Sequence, residues 1–156
     1  MKKVFVLFTA MISSTLIYSQ QKTDSIKVVK LDEVVVSATR VNADAPVAYS
    51  NLNELQIKQD NAAKNIPSLL QTLPSVVSYT EGGTSVGNTS FRIRGTDANR
   101  INITLNGMPL NNPESQEVYW VNLPDLSNSL QSMQIQRGVG TSTNGTASFG
   151  ASISMQ

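Results

Sequence analysis

The chain has 156 residues and a formal net charge of +1, without the basic excess that nucleic-acid binding requires, so no nucleic-acid partner is expected. Cysteine and histidine are both absent. Their absence excludes disulfides, thiolate and imidazole metal ligands, cysteine nucleophiles and Ser-His-Asp triads. Glycine spacings do not fit a nucleotide-binding loop. The sequence therefore predicts no catalytic residue, no metal site and no cofactor, and the chain is not expected to be an enzyme.

The N-terminus has the pattern of an export signal. Lys2 and Lys3 precede an apolar run over residues 4–17, and Ser19 offers a small residue for cleavage. The run is too short for a spanning helix, which needs about 20 residues. We therefore expect a signal peptide at residues 1–19 and an exported protein.

Residues 20–45 form a polar, flexible segment that contains one apolar stretch. Val34–Val36 are strong strand formers, with acidic residues before them and Arg40 after them. This stretch is either the first strand of the domain or a strand that adds to the sheet edge of a partner. The residue pattern alone leaves both interpretations open.

From residue 46 onward the pattern predicts one domain of short elements. In its first half, residues 51–59 suggest a strand running into a helix, and a second helix is predicted over 61–73. Asn65 is the expected N-cap of that helix, with Pro67 in its first turn. A short strand at 76–79 and a glycine-rich loop at 80–90 follow.

The second half of the domain is richer in strand patterns. The Asn106–Gly107 pair between two alternating stretches is a strong hairpin signal. The other predicted elements are strands at 91–95, 101–105, 108–110, 133–137 and 148–155, and a short helix at 124–130. The fold class is therefore α+β, a small mixed β-sheet with two or three short helices and long polar loops. The sequence stops inside its last predicted strand, which favours a truncated chain over an isolated domain.

Three arginines are the most informative charged residues. Alternation places Arg92 and Arg94 on one face of a strand, and Arg137 precedes a glycine. If both strands lie in one sheet, the three guanidinium groups cluster. Asp97 is the only carboxylate nearby in sequence. The arginines are then either solvated surface residues or the partners of carboxylates outside this domain.

Several motifs, in order, resemble the N-terminal part of a TonB-dependent outer-membrane receptor. Residues 32–40 (DEVVVSATR) are similar to a TonB box. The later matches are 65–76 (NIPSLLQTLPSV), 91–95 (FRIRG), 105–110 (LNGMPL), 133–140 (MQIQRGVG) and the small-residue stretch 145–153. Ser75 stands where the family usually has glycine, Asn106 where it has aspartate, Gln134 where it has glutamate and Val139 where it has proline.

The resemblance implies a plug domain at 46–156, preceded by the flexible segment 20–45 with its TonB box at about 31–40. The plug sits inside a 22-stranded barrel that is missing from this chain, and the box pairs with the periplasmic domain of TonB. The implied TonB-binding residues are Asp32, Glu33, Val34, Val35, Val36, Ser37, Ala38 and Thr39. The implied barrel contacts are Arg92, Arg94 and Arg137, and the implied structural turns are Gly95, Asn106, Gly107, Gly138 and Gly140.

The resemblance also implies a function and a location in a Gram-negative bacterium. The plug gates energy-coupled uptake of a scarce nutrient, such as an iron chelate (siderophore) or cobalamin. The small ligand binds at the outer face, toward which loops 82–89 and 111–119 point. The alternative is an isolated or truncated plug that binds TonB or signals without transport. The first function predicts the outer membrane, and the second the periplasm.

Overall fold

A computed structural model describes residues 40–42, 44–60, 65–83, 87–140, 144–145 and 148–156. The predicted signal peptide and the predicted TonB-binding residues lie outside this range. In chain order the elements are β1 (Tyr49–Asn53), α1 (Glu54–Asp60), α2 (Ile66–Leu70), β2 (Val76–Thr80), β3 (Thr89–Ile93), β4 (Ile101–Leu105), β5 (Met108–Pro109), β6 (Ser132–Arg137) and β7 (Ala151–Met155). Short 3-10 helices occupy Ala98–Arg100, Trp120–Asn122 and Leu126–Ser129.

The strands form one mixed sheet and one separate pair, which confirms the predicted α+β class. The larger sheet has five strands in the order β1-β6-β7-β4-β5. Only β4 and β7 pair in parallel, and the other neighbours are antiparallel. Strands β2 and β3 form a separate antiparallel pair.

The hydrophobic core lies against one face of the larger sheet. Alternation along β6 directs Met133 and Ile135 to that face, and the paired residues of β7 there are Met155 and Ile153. They pack in one cluster with residues of both helices, such as Ile57. Burying apolar side chains from sheet and helices together is what makes these short elements stable.

Helix α2 has the predicted N-cap, Asn65, but it is shorter than the predicted range 61–73. The Oδ1 atom of Asn65 accepts a hydrogen bond from the backbone N–H of Ser68 at 3.2 Å, which caps the first turn. The helix stops at Leu70 rather than at residue 73. The Thr72 hydroxyl donates to the Leu69 carbonyl at 3.0 Å, so a side chain takes a carbonyl that a longer helix would use.

The last strand begins later than the alternation predicted. Residues 148–149 form a turn, and β7 starts at Ala151. Phe149 lies in this turn and is 59% exposed, and its ring centroid lies 6.0 Å from the Arg100 guanidinium carbon. The N–H of Gly150 is bonded to the Arg100 carbonyl at 2.8 Å, which holds the chain in the turn before the strand.

Candidate functional site

Arg94 lies in a tight turn immediately after β3. Its φ is +52°, a left-handed conformation, and its N–H donates to the Ser75 carbonyl at 2.9 Å. Its side chain passes over Gly138, where a Cβ atom would lie 3.1 Å from Arg94 Nη1. Gly138 itself has a φ of +97°, which side chains disfavour. This position therefore requires glycine both for its backbone conformation and for the space that Arg94 occupies. The arginine of one predicted motif therefore contacts the glycine of another.

Arg137 is next to Gly138 and is held by edge strand β1. Its Nη1 donates to the Ser50 hydroxyl at 2.9 Å, and its Nη2 donates to the Tyr49 carbonyl at 3.3 Å. The side chain is half-buried. These bonds fix the guanidinium in one orientation without neutralising its charge. In the described part of the chain, no carboxylate forms an ion pair with Arg94 or Arg137.

Arg92 is separate from this pair, contrary to the predicted three-arginine cluster on one sheet. Strand β3 ends at Ile93 and pairs only with β2, so it is not in the sheet that contains β6. The left-handed turn then directs Arg94 away from the strand face that Arg92 occupies. Arg92 forms an ion pair with Asp97 at 3.0 Å, and both side chains are more than half exposed. Such a surface pair contributes little to stability.

The two polar loops predicted to face the ligand meet at one cavity. Its volume is about 200 Å³. Glu81, Asn88 and Thr89 line it from one side, and Glu117 and Tyr119 line it from the other. Carboxylates, hydroxyls and an aromatic ring together suit a polar small molecule. Across the described residues, no group of acidic side chains is arranged to hold a metal ion.

The family model for the TonB-dependent receptor plug domain matches residues 41–152. The chain belongs to this family. A search of curated proteins gives no match. Within the described ranges, the plug contains no helix long and apolar enough to cross a membrane.

Solved receptor structures share the fold of this plug. The copper transporter OprC is 19% identical with a TM-score of 0.56, and the match covers 74% of this chain and 17% of that one. The siderophore receptor PirA of Acinetobacter baumannii is 17% identical with a TM-score of 0.53, over 69% and 16%. The Serratia marcescens hemophore receptor HasR is 21% identical with a TM-score of 0.51, over 72% and 17%. The plug thus spans about a sixth of the length of these chains.

Several positive-φ residues of the plug lie in the family motifs. Asn106 and Gly107 have φ of +51° and +81°, the combination of a type I′ hairpin turn. Gly95 has a φ of +77°. At Gly140 the reason for glycine is space and not a positive φ, because a Cβ there would lie 2.7 Å from the Ser148 hydroxyl. Ser75 has a φ of +66°, which explains why glycine suits this position.

Sequence reasoning missed two side-chain amides that bind backbone. Asn111 accepts from the Ile103 N–H at 2.8 Å and donates to the Ile101 carbonyl at 2.9 Å, so it takes the place of a paired strand along β4. Gln134 binds the backbone of Val41 in the same two-sided manner. Gln134 was visible in the sequence only as a departure from the family's glutamate.

The folded unit also begins before residue 46, since Arg40 and Val41 already contact β6.

Proposed function

We propose that this chain acts as the plug of a TonB-dependent receptor and gates uptake of a scarce nutrient through a 22-stranded outer-membrane barrel. The observation that carries the proposal is the Arg94–Arg137 pair beside Gly138, for which no acidic partner is found among the described residues. A guanidinium that becomes buried in a barrel lumen needs a carboxylate there. Acidic residues of the barrel wall supply that partner, so the two arginines form the docking face.

The residues Asp32–Thr39 are proposed as the TonB box. They lie directly before Arg40, which contacts the sheet at Ser132. Val34–Val36 have the residue types that add as a strand to the periplasmic domain of TonB through main-chain hydrogen bonds. A pull on the box then reaches the plug at Arg40 and Val41.

The cavity between the two polar loops is proposed as the plug's share of the ligand site. Its Glu81 and Glu117 carboxylates suit hydroxyl or amine groups of a polar nutrient, and Tyr119 offers an aromatic face. Copper, siderophores and heme are named for the similar structures. We propose that the ligand is an iron chelate or cobalamin, bound at the outer face, and that this cavity holds a part of it.

The docking face is tested by outer-membrane fractionation after co-expression with a receptor barrel that lacks its own plug. The wild-type chain should be recovered with the barrel in the outer membrane. Replacing both arginines (Arg94→Gln with Arg137→Gln) leaves the barrel carboxylates unpaired, at a cost of about 3–5 kcal/mol. The double variant should therefore appear mainly in the soluble periplasm.

The matched control is Arg92→Gln, which removes an arginine that already has Asp97 as its partner. This variant should stay with the barrel. Wild-type chain found only in the soluble periplasm would favour the alternative, a free plug that binds TonB without transport. Equal retention of the double variant and the control would refute the arginine docking face.

The TonB box is tested separately by a pull-down with the C-terminal domain of TonB. Val35→Pro removes one main-chain donor and disrupts strand pairing, so capture should be lost. A proline at a polar position before the box, Lys22→Pro, is the control and should be captured like the wild type. Equal capture of all three proteins would contradict the box assignment.

A further inference from the structure

The polar face of the larger sheet contains two buried glutamines. Strand pairing places Asn51, Gln134 and Ser154 side by side on this face, with Gln136 in the next row. Gln134 is 5% exposed and Gln136 is 2% exposed. Buried amides need hydrogen-bond partners. For Gln134, the partner is the backbone of Val41, which follows the N-terminal segment.

The Gln134 amide pairs with the backbone of Val41 from both sides. Its Oε1 accepts from the Val41 N–H at 2.6 Å, and its Nε2 donates to the Val41 carbonyl at 3.1 Å. The same Nε2 also donates to Asn51 Oδ1 at 2.8 Å. A side-chain amide has one acceptor and two donor hydrogens, so all of its donors are used. Val41 itself is buried.

Arg40 adds a second attachment, which involves β6 and its neighbour β7. Its Nη1 donates to the Ser132 hydroxyl at 3.0 Å, and its Nη2 donates to the Ser154 carbonyl at 3.3 Å. Ser132 begins β6 and Ser154 belongs to β7. Two successive residues, Arg40 and Val41, are thus hydrogen-bonded to inner strands of the sheet. Strand β1 begins eight residues after Val41, at Tyr49.

We infer that Gln134 is a latch residue that delays transmission of a pull from the N-terminal segment to β1. While the latch holds, load on residue 40 is carried by β6 and β7. After Val41 leaves Gln134, the load reaches β1, whose Tyr49 and Ser50 hold Arg137. The arginine docking face therefore stays undisturbed by a pull until Val41 has separated from Gln134. The inference rests on the proposed function, which supplies the pull.

Single-molecule stretching of the full chain tests this order without TonB or a barrel. The chain is free of cysteine, so Ser37→Cys and a cysteine added after Gln156 give two unique handles. The wild type should show a small first rupture before the sheet unfolds. It should release residues 41–48, about 25–30 Å of extended chain at about 3.3–3.6 Å per residue. A single-step rupture of the whole sheet would overturn the latch.

The matched variants are Gln134→Leu and Gln136→Leu, which replace buried glutamines of the same strand. Gln134→Leu should lower the force of the first rupture, because the Val41 attachment is lost while the Arg40 hydrogen bonds remain. It should also accelerate hydrogen exchange at the Val41 amide by at least about tenfold. Gln136→Leu should preserve both signals, because Gln136 Oε1 accepts from Asn144 rather than from Val41. Unchanged exchange in Gln134→Leu would refute the assignment. If this variant does not fold, the wild-type rupture decides alone. Failed TonB capture with an intact first rupture would count against the proposed function and not against the latch.

Discussion

Gly150 should be the glycine that tolerates a side chain least. A Cβ atom at this position would overlap the Thr96 hydroxyl oxygen and would lie 2.7 Å from Thr96 Cβ. Rotating the threonine side chain moves the hydroxyl away but leaves its Cβ in place. The backbone must therefore shift in Gly150→Ala.

The expected destabilisation combines two terms. Overpacking that forces the backbone to move costs about 1–3 kcal/mol. The Thr96 hydroxyl also donates to the Ile93 carbonyl at 2.6 Å, and losing that bond costs about 1 kcal/mol. We therefore expect Gly150→Ala to lower the free energy of unfolding by about 2–4 kcal/mol.

The measurement is urea unfolding of the full chain followed by circular dichroism. Gly107→Ala serves as the control, because its Cβ would meet open space and only its positive φ costs energy, about 1–2 kcal/mol. Thr96→Gly should recover part of the loss when combined with Gly150→Ala, since it removes the clashing Cβ. Equal unfolding midpoints for wild type and Gly150→Ala would refute the packing argument.

Three further changes test the turns and the edge of the sheet in the same unfolding assay. Ser75→Gly should raise the free energy of unfolding by up to about 1 kcal/mol, because relief of the left-handed strain exceeds the added chain entropy; a loss of stability would contradict the φ of +66°. Asn111→Leu should lower it by about 1–3 kcal/mol, since two backbone groups of β4 lose their partners; an unchanged midpoint would mean that water replaces the amide. Arg92→Gln should change it by less than about 1 kcal/mol, as its pair with Asp97 is exposed; a larger loss would assign this arginine a structural role.

Local signals predicted much of the fold. The hairpin at Asn106–Gly107 follows from turn chemistry, because these residues tolerate the positive φ that a type I′ turn requires. The N-cap at Asn65 follows in the same way from one side chain and one backbone N–H. The strand over 133–137 follows from alternation. Each of these depends on residues that are close in sequence.

Contacts between distant residues could not be predicted in the same way. The pattern gave no indication that β3 and β6 belong to different sheets, so Arg92 was grouped with Arg137. Gln134 and Val41 are 93 positions apart, and nothing in the polar alternation of β6 says which backbone its amide meets. Alternation assigns a side chain to a face of a strand, while the partner on that face is set by tertiary packing.

Strand β1 connects the proposed docking face with the proposed latch. Successive residues of a strand point to opposite faces, so Ser50 meets Arg137 on one side while Asn51 meets Gln134 on the other. A slip of one residue in the β1–β6 register would exchange these faces and break both contacts together. Among the described strands, β1 lies at the edge of the sheet and pairs with β6 alone, so it can separate while β6, β7 and β4 remain joined. Release of β1 would therefore free the groups that orient Arg137 and leave the core strands of the plug paired.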